Sequence, residues 1–402
     1  MAATEVSSDF STPAFPGQQV FWAFFESHLL DKTDTYLLAG DESVVTKAGK
    51  ETYGRDYFFS SLLKKAVPSL SFFTLALVSV KQRRSYPLRV EQMVRSAEEK
   101  ANSQVKKQAL KAKSEEPKRK RGRPKGSCNK KKTEKMQNPE LERIQKMIRT
   151  LKDTISDQIH LTYLVLDGHF GNHPALQMVR QCQLHLISKL RSDAALFFPY
   201  GGPAPKRGPR PKLGERLDYR KMPEQYLKTT LVEDGFETRI YQLQLLHRAF
   251  PIPINVVILI KTNLETKAWA HAIFFSSDMD LAYDKLIDFY SLRFQIEFNF
   301  RDAKQYWGLE DFMNVTQTAV TNAANLSLFM VDVSQMLMCQ YRNDDPDFGI
   351  LDLKGYYRGY RYVMETIKIL PQLPDENLVS QLFQKVTALG RIHSAKLLVS
   401  SG

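Results

Sequence analysis

A strongly basic segment at residues 111–135 divides the chain and limits what it can fold into. The segment holds twelve Lys or Arg residues and three Glu residues, a net charge of +9. Because it has almost no apolar side chains it cannot be buried, and we expect a solvated loop. A second basic run at 205–221 is rich in Pro and Gly and also predicts a loop. The core must therefore come from three apolar blocks separated by these loops.

Composition narrows the class of protein. The 402 residues carry a net charge of +13 with 43% hydrophobic side chains, which is typical of a globular protein with a polyanionic partner. The three cysteines form no CxxC pair, which indicates a reducing compartment and no thiolate zinc site. The N-terminal residues lack a secretory signal, and the most apolar stretch, 71–80, is far shorter than the roughly 20 residues that span a bilayer. We expect a soluble, cytoplasmic protein with no membrane partner.

The apolar patterns predict an α/β protein. Strands are predicted at 35–42, 69–80 and 86–94, followed by an amphipathic helix that opens at Asn138. A strand ending at Asp167, a short helix at 174–182 and a strand at 184–190 come next. Three further strand patterns at 239–246, 254–262 and 268–275 precede one long helix over 280–309. This order indicates a sheet flanked by helices, with a β-rich insertion before the last helix.

Four polar residues of the long helix stand at a spacing that groups them. Tyr290, Arg293, Glu297 and Lys304 are separated by three, four and seven residues, which on one α-helix places them within an arc of about 60° over about 21 Å. An ordinary amphipathic helix with exposed ion pairs is the simpler interpretation. The full stripe instead favours a carboxylate that binds a metal ion, with cations that hold an anion beside it.

Two aspartates at predicted strand ends extend this pattern. Asp41 closes the first strand and Asp167 closes the strand before the short helix. Hard cations take several oxygen ligands, so two aspartates and Glu297 could hold two Mg²⁺ ions about 3.5–4 Å apart for in-line displacement at a phosphodiester. Arg293 and Lys304 would then hold DNA phosphates.

Three segments resemble a known family. YSLRFQIEFNFRDAK, LVLDGHFGN and LLAGDESVVTKAGKETYGRD resemble the DDE transposases of bacterial insertion sequences, in the insertion-sequence-4-like subgroup marked by Y-x2-R-x3-E-x6-K. The resemblance implies an RNase H-like mixed sheet flanked by helices, with the β-rich insertion before the catalytic helix. It also implies Asp41, Asp167 and Glu297 as a catalytic, metal-binding triad that uses two Mg²⁺ or Mn²⁺ ions.

The same resemblance implies a reaction and its partners. Such enzymes cut DNA at element ends by hydrolysis and join the 3′-OH to target DNA, so we expect terminal inverted repeats and target DNA as partners. Tyr290, Arg293 and Lys304 would bind DNA, Trp269 would stack on a flipped base, and the enzyme would act as a homodimer on DNA. A bacterial, nucleoid-associated location follows.

The predicted domains follow the composition shifts along the chain. We assign 1–34 to an N-terminal remnant, 35–100 and 137–193 to the two parts of the catalytic core, and 101–136 to a basic loop. The remaining assignments are 194–277 to the insertion, 278–315 to the catalytic Glu helix, and 316–402 to a C-terminal helical region.

Two alternatives remain open from the residues. The sequence RGRPKG, with Arg121, Arg123 and Lys125, resembles an AT-hook that inserts its arginines into a narrow minor groove. It is equally typical of a basic linker that binds phosphates without sequence preference. For the whole chain, the alternative to a transposase is a truncated or decayed, non-catalytic DNA-binding protein, and a plain RNase H-like nuclease is a third possibility.

Overall fold

The computed structural model describes residues 13–60, 63–101, 105, 138–203, 210–372 and 374–392. The basic segment 111–135 therefore lies outside the described residues. The chain divides into two compact units. One lies within Met1–Ala23 and Asp31–Leu328, and the other within Phe24–Leu30 and Phe329–Gly402.

The first unit is built on a mixed sheet. Its first part consists of β1 (Tyr36–Thr46), β2 (Asp56–Ser60), β3 (Lys65–Ser79), β4 (Arg84–Gln92), β5 (Tyr163–Leu166) and β6 (His185–Leu190). The central strands run in the order β4-β3-β1-β5-β6, while β2 pairs with the start of β3. Strand β1 is antiparallel to β3 and parallel to β5, and β5 is parallel to β6. This order and these directions are those of an RNase H-like sheet, so the predicted fold class is confirmed.

The first unit also contains helices α1 (Gly17–His28), α2 (Pro139–Ile155) and α3 (His173–Gln181), and α2 has local causes in the sequence. The Asn138 side chain accepts the backbone N–H of Glu140, and Pro139 occupies the first turn, where no N–H is needed. The apolar stripe of α2 is buried against β3, β4 and α3, and it consists of Leu141, Ile144, Met147, Ile148, Leu151 and Ile155. This helix forms as the apolar spacing predicts.

The insertion extends the same sheet. Its strands are β7 (Leu196–Pro199), β8 (Leu213–Arg216), β9 (Leu227–Glu233), β10 (Phe236–His247), β11 (Ile254–Asn263) and β12 (Trp269–Ser276). Strand β12 pairs antiparallel with β6, and the order continues as β12-β11-β10-β7-β8, with β9 beside β10. The β-rich character is as predicted, but strands β7 to β9 were not predicted, and β8 lies within the run 205–221 that was expected to be a loop.

The predicted long helix is two helices. Helix α4 spans Tyr283–Leu292 and α5 spans Gln295–Tyr306. Between them, the N–H groups of Arg293 and Phe294 donate to carbonyls only three residues back, at 3.3 and 3.1 Å. The helix is tighter at this point than an α-helix, so the prediction of one continuous helix was wrong. Buried residues of α4, such as Leu286 and Leu292, pack in the cluster that contains Val165 of β5 and Ile187 of β6.

Helices dominate the second unit. Helix α6 (Gln317–Tyr341) begins in the first unit and ends in the second, which also contains α7 (Ile350–Ile369) and α8 (Glu376–Ala388). Helices α7 and α8 approach closely at Gly359, where a Cβ atom would lie 2.7 Å from the Val386 carbonyl oxygen. Within the ranges described above, no helix is long and apolar enough to cross a membrane.

Candidate active site

The parallel pairing of β1 with β5 places two aspartates side by side. The pairing ends with Gly40 opposite Leu166; Asp41 is the next residue of β1, and Asp167 is the first residue after β5. Residues that alternate along a strand share a face, so Asp41 faces the same side as Leu37 and Ala39, which pack in the cluster with α4. Both aspartates therefore belong to the helix-covered face at one end of the sheet.

The prediction that the first strand ends at Asp41 is wrong. Strand β1 continues to Thr46 and stays paired with β3, with Asp41 opposite Thr74. It is β5 that ends here, which leaves one side of β1 open at Asp41. The neighbouring Glu42 is on the opposite face by strand alternation, and its carboxylate accepts the Ser71 hydroxyl.

Asp167 is held by the turn that follows β5. Its Oδ1 accepts the N–H of His169 at 3.1 Å and caps a short 3₁₀ helix, Gly168–Phe170. The Ser188 hydroxyl of β6 donates to the Asp167 carbonyl oxygen at 2.7 Å. The turn lies against β6 so closely that a Cβ atom on Gly171 would be 2.3 Å from the Lys189 carbonyl oxygen. Asp167 is thus held in two places, at its carboxylate by the turn that follows it and at its carbonyl oxygen by Ser188 of β6.

Arg293 joins the sheet carboxylate to the helix carboxylate. One terminal nitrogen of its guanidinium donates to Asp41 Oδ2 at 2.7 Å, and the other donates to Glu297 Oε1 at 3.0 Å. The Arg293 side chain is 13% exposed. Its guanidinium carbon lies 5.9 Å from the centre of the Tyr290 ring, which packs on Phe274. Three predicted residues, Tyr290, Arg293 and Glu297, therefore gather at Asp41.

The carboxyl groups interact electrostatically. Burial, together with the negative charges of Asp167 and Glu297, raises the pKa of Asp41 to about 6 against the opposing effect of the adjacent Arg293. Burial also raises the pKa of the Tyr290 hydroxyl, with Asp167 and Asp41 adding to the rise. A cation placed among the three carboxylates would relieve this repulsion.

The chemistry of these donors fits a hard divalent cation, since carboxylate oxygens are the preferred ligands of Mg²⁺ and Mn²⁺. In this structure two of the three carboxylates, those of Asp41 and Glu297, are bridged by an arginine side chain. Among the side chains that the structure describes, no group of three His, Cys, Asp or Glu residues is arranged to hold a metal ion. The Arg293 guanidinium instead bonds both Asp41 and Glu297.

Lys304 lies further along β1. Its Nζ donates to the Val44 carbonyl oxygen at 2.9 Å and is 3.5 Å from Glu310 Oε1. A second lysine that the sequence did not single out, Lys47, donates to the carbonyl oxygens of Glu310 and Phe312 at 2.8 and 2.7 Å. These two lysines attach α5 and the segment after it to β1. The predicted stripe of four residues is therefore divided: Tyr290, Arg293 and Glu297 gather at Asp41, whereas Lys304 contacts Val44. The break between α4 and α5 at Arg293 contributes to this division.

Trp269 begins β12 and is 38% exposed. Its ring stacks on His271 at 5.3 Å between centres, and His271 stacks on Tyr219 at 4.5 Å. The Arg220 guanidinium lies 5.8 Å from the Trp269 ring centre. An adjoining open groove of about 650 Å³ has basic residues in its lining, among them Lys221, Arg239 and Lys267. Sequence reasoning identified Trp269 but missed His271 and Tyr219. The W-x-H spacing places Trp269 and His271 on one face of a strand, so His271 could have been found.

The comparisons with known proteins agree with the fold. The RNase H-like sheet defines an α/β protein of the nuclease type. The sequence profile of the DDE superfamily endonucleases matches residues 13–244, more than half of the chain, and the chain belongs to this family. The matched region includes Asp41 and Asp167 and ends before Glu297. No curated protein matches the chain.

The family supports an enzyme of the nuclease or transposase type that acts on DNA with divalent metal ions. The predicted DNA-binding residues Arg121, Arg123 and Lys125 lie outside the described residues. The roles of the other predicted site residues are proposals that rest on their geometry.

Proposed function

We propose that this chain is a DNA transposase of the insertion-sequence-4-like Y-R-E-K subgroup, which cleaves DNA at insertion-sequence ends and transfers the strand into target DNA. The observation that carries the proposal is the convergence at Asp41. Asp167 is adjacent through strand pairing, and Glu297 is linked to Asp41 by Arg293 at 2.7 and 3.0 Å. Residues separated by more than 250 positions thus meet at one end of the sheet, where the family places its chemistry.

In this proposal Asp41, Asp167 and Glu297 are the catalytic residues and would hold two Mg²⁺ or Mn²⁺ ions. Bound ions of this kind supply an ionised oxygen nucleophile and stabilise the leaving oxygen. Because the pKa of Asp41 is about 6, its carboxyl is largely ionised at neutral pH and can serve as a ligand. The turn at Asp167 and the helix at Glu297 fix the other two carboxylates.

Three side chains near the carboxylates suit the DNA backbone. The guanidinium fork of Arg293 matches two oxygens of one phosphate. Tyr290 packs beside Arg293 and limits its orientation. An ammonium has three donor hydrogens. Lys304 donates one to the Val44 carbonyl oxygen and directs another toward Glu310, which leaves the third for a phosphate beside β1.

Two other regions would contact DNA away from the carboxylates. Trp269, at the end of its aromatic stack and next to Arg220, suits an unpaired base. The basic segment with Arg121, Arg123 and Lys125 suits phosphates or a minor groove. Terminal inverted repeats and target DNA are the proposed substrates, a homodimer the proposed assembly on DNA, and a bacterial nucleoid the proposed location.

The test is cleavage of DNA that bears the element's own ends, with Mg²⁺ or Mn²⁺, by wild type and Glu297→Gln. We expect Glu297→Gln to lose cleavage and to keep DNA binding, because it removes one ligand charge and no large contact. Glu310→Gln is the matched control, since Glu310 pairs with Lys304, whereas Arg293 pairs with Asp41 and Glu297. Equal cleavage by wild type and Glu297→Gln would contradict the proposal.

The same experiment addresses the alternative of a decayed, non-catalytic DNA-binding protein. Such a protein would bind DNA without metal, with an affinity that falls steeply with salt. Metal-dependent cleavage by wild type excludes it, whereas intact DNA binding without cleavage by wild type favours it.

A further inference from the structure

We propose that Arg293 takes the place of the divalent cation in the metal-free protein and is displaced when the cation binds, which releases its guanidinium for a DNA phosphate. This inference rests on the proposed function, because it takes Asp41 and Glu297 as metal ligands. It assigns Arg293 a second role as a positioning residue. Metal binding and phosphate binding would then be coupled through one side chain.

The contacts of Arg293 are those of a bridging cation. Its two terminal nitrogens bond two carboxylates from different elements, Asp41 of β1 and Glu297 of α5. In the part of the chain that the structure describes, the ion pairs to these two carboxylates come from Arg293 alone. A metal ion bound by both carboxylates would need the same oxygen lone pairs and the same space.

The other nearby cations are placed differently. Lys304 donates to the Val44 carbonyl oxygen, and Lys47 donates to two carbonyl oxygens after α5. These are contacts that hold elements together, and a metal ion at Asp41 would leave them intact. Of these three cations, Arg293 is the one whose bonds would have to break.

Arg293 is also incompletely satisfied where it lies. Its Nε–H is buried and has no hydrogen-bond partner among the described residues. An unpaired buried donor costs free energy that a different position of the side chain can recover. The residue lies at the tightened junction of α4 and α5. There its backbone N–H donates a long hydrogen bond, of 3.3 Å, to the Tyr290 carbonyl oxygen. The side chain is thus attached to the carboxylates by charge and has an unmet donor for another acceptor.

Displacement has a thermodynamic consequence. If the cation must displace Arg293, its binding to wild type is weakened by the free energy of the broken ion pairs, and a phosphate that captures the freed guanidinium offsets part of that cost. By linkage, phosphate then strengthens cation binding by the same factor as the cation strengthens phosphate binding.

The experiment is a Mn²⁺ titration of the full-length chain without DNA, with free Mn²⁺ followed by its electron paramagnetic resonance signal. Wild type, Arg293→Gln and Lys304→Gln are compared. We expect Arg293→Gln to bind Mn²⁺ at least about tenfold more tightly than wild type, equivalent to about 1.4 kcal/mol. Lys304→Gln is the matched control, because it removes one positive charge from the adjoining helix α5 without touching Asp41 or Glu297, and we expect a much smaller change.

A second variant and a second measurement guard against a folding defect in Arg293→Gln. Arg293→Lys keeps the charge but replaces the planar guanidinium fork with a compact point charge, so we expect a weaker bridge between the two carboxylates and an affinity for Mn²⁺ above that of wild type. Thermal unfolding provides the other readout: we expect added Mn²⁺ to raise the melting temperature of Arg293→Gln more than that of wild type, whose carboxylates already have a cation.

Three results would overturn the inference. These are equal or weaker Mn²⁺ binding by Arg293→Gln, equal tightening in Lys304→Gln and Arg293→Gln, and an absence of Mn²⁺ binding in both wild type and Arg293→Gln. Since the titration needs no cleavage, its outcome is separate from that of the proposed function. Tighter binding by Arg293→Gln together with no cleavage by wild type would support the displacement and contradict the transposase activity.

Discussion

The carboxyl group of Asp332, within α6, is fully buried and has no hydrogen-bond partner for either oxygen in the described part of the chain. Burial raises the pKa of this carboxyl well above its ordinary value. The folded state therefore favours the protonated form. Below pH 3.8, the unfolded pKa, the carboxyl is protonated in both states and does not lower the free energy of unfolding. As the pH rises from there toward the folded pKa, the unfolded state ionises first and the free energy of unfolding falls.

Asp332→Asn removes this dependence on pH. Because each pH unit between the two pKa values costs about 1.4 kcal/mol, we expect the variant to exceed wild type in melting temperature near neutral pH and to converge with it toward about pH 4. Thermal unfolding of the intact chain across this range is the measurement, with Asp344→Asn, an exposed aspartate of the same unit, as the control. A difference between variant and wild type that does not change with pH would contradict the assignment.

The sequence predicts which residues are candidates for the site more readily than it predicts which of them are in contact. The Y-x2-R-x3-E-x6-K spacing and the Asp-Gly after a buried strand are local patterns that identify Tyr290, Arg293, Glu297 and Asp167 as candidates. The adjacency of Asp41 and Asp167 depends on the register of β1 against β5, and the bridge from Arg293 depends on side-chain packing. Neither is encoded in local periodicity.

At the scale of elements, the turn after β5 makes a direct prediction about the position of Asp167. A Cβ atom on Gly171 would lie 2.3 Å from the Lys189 carbonyl oxygen, whereas one on Gly168 would lie at 3.4 Å, an ordinary contact. Since the obstacle at Gly171 is backbone, Gly171→Ala must move the turn or β6, at a cost of about 1–3 kcal/mol. We expect it to lower both the melting temperature and the cleavage rate.

Gly168→Ala is the matched control for this prediction, because it adds the same methyl group to the same turn three residues earlier. We expect its melting temperature and its cleavage rate to stay close to those of wild type. If the two variants behave alike, the close packing of the turn against β6 does not position Asp167.

The elements that could be predicted share a strong apolar period. Helix α2 has six apolar residues at helical spacing, and all six are buried; strands β10 to β12 are long and apolar. Strand β9 is largely exposed and β8 only partly buried, so their sequences lack a signal of burial. The continuation of the sheet from β6 to β12 could not be predicted, because a pattern reports that a strand is buried and not which strand it pairs with.

For the whole molecule, charge is distributed unevenly. The segment 111–135 carries +9 of a net +13, so the candidate active site and most of the net positive charge belong to different parts of the chain. Site residues are fixed by strand register and hydrogen bonds, whereas a run of lysines and arginines can neutralise phosphates without a fixed geometry. Binding and cleavage should therefore be separable by substitution.

Replacing 111–135 with a Gly/Ser segment of equal length tests this separation. The logarithm of the DNA association constant falls with the logarithm of salt concentration by about 0.9 for each phosphate that the protein neutralises, so we expect the replacement to flatten that slope by about 0.9 for every phosphate that the native segment binds. At low salt and saturating protein, the cleavage rate should be retained, because Asp41, Asp167 and Glu297 are untouched. A shuffled segment of the same charge is the control: it should preserve the salt slope, and it loses a preference for A·T-rich DNA only if RGRPKG acts as an AT-hook. An unchanged slope in the Gly/Ser protein would place the phosphate contacts on the two folded units instead.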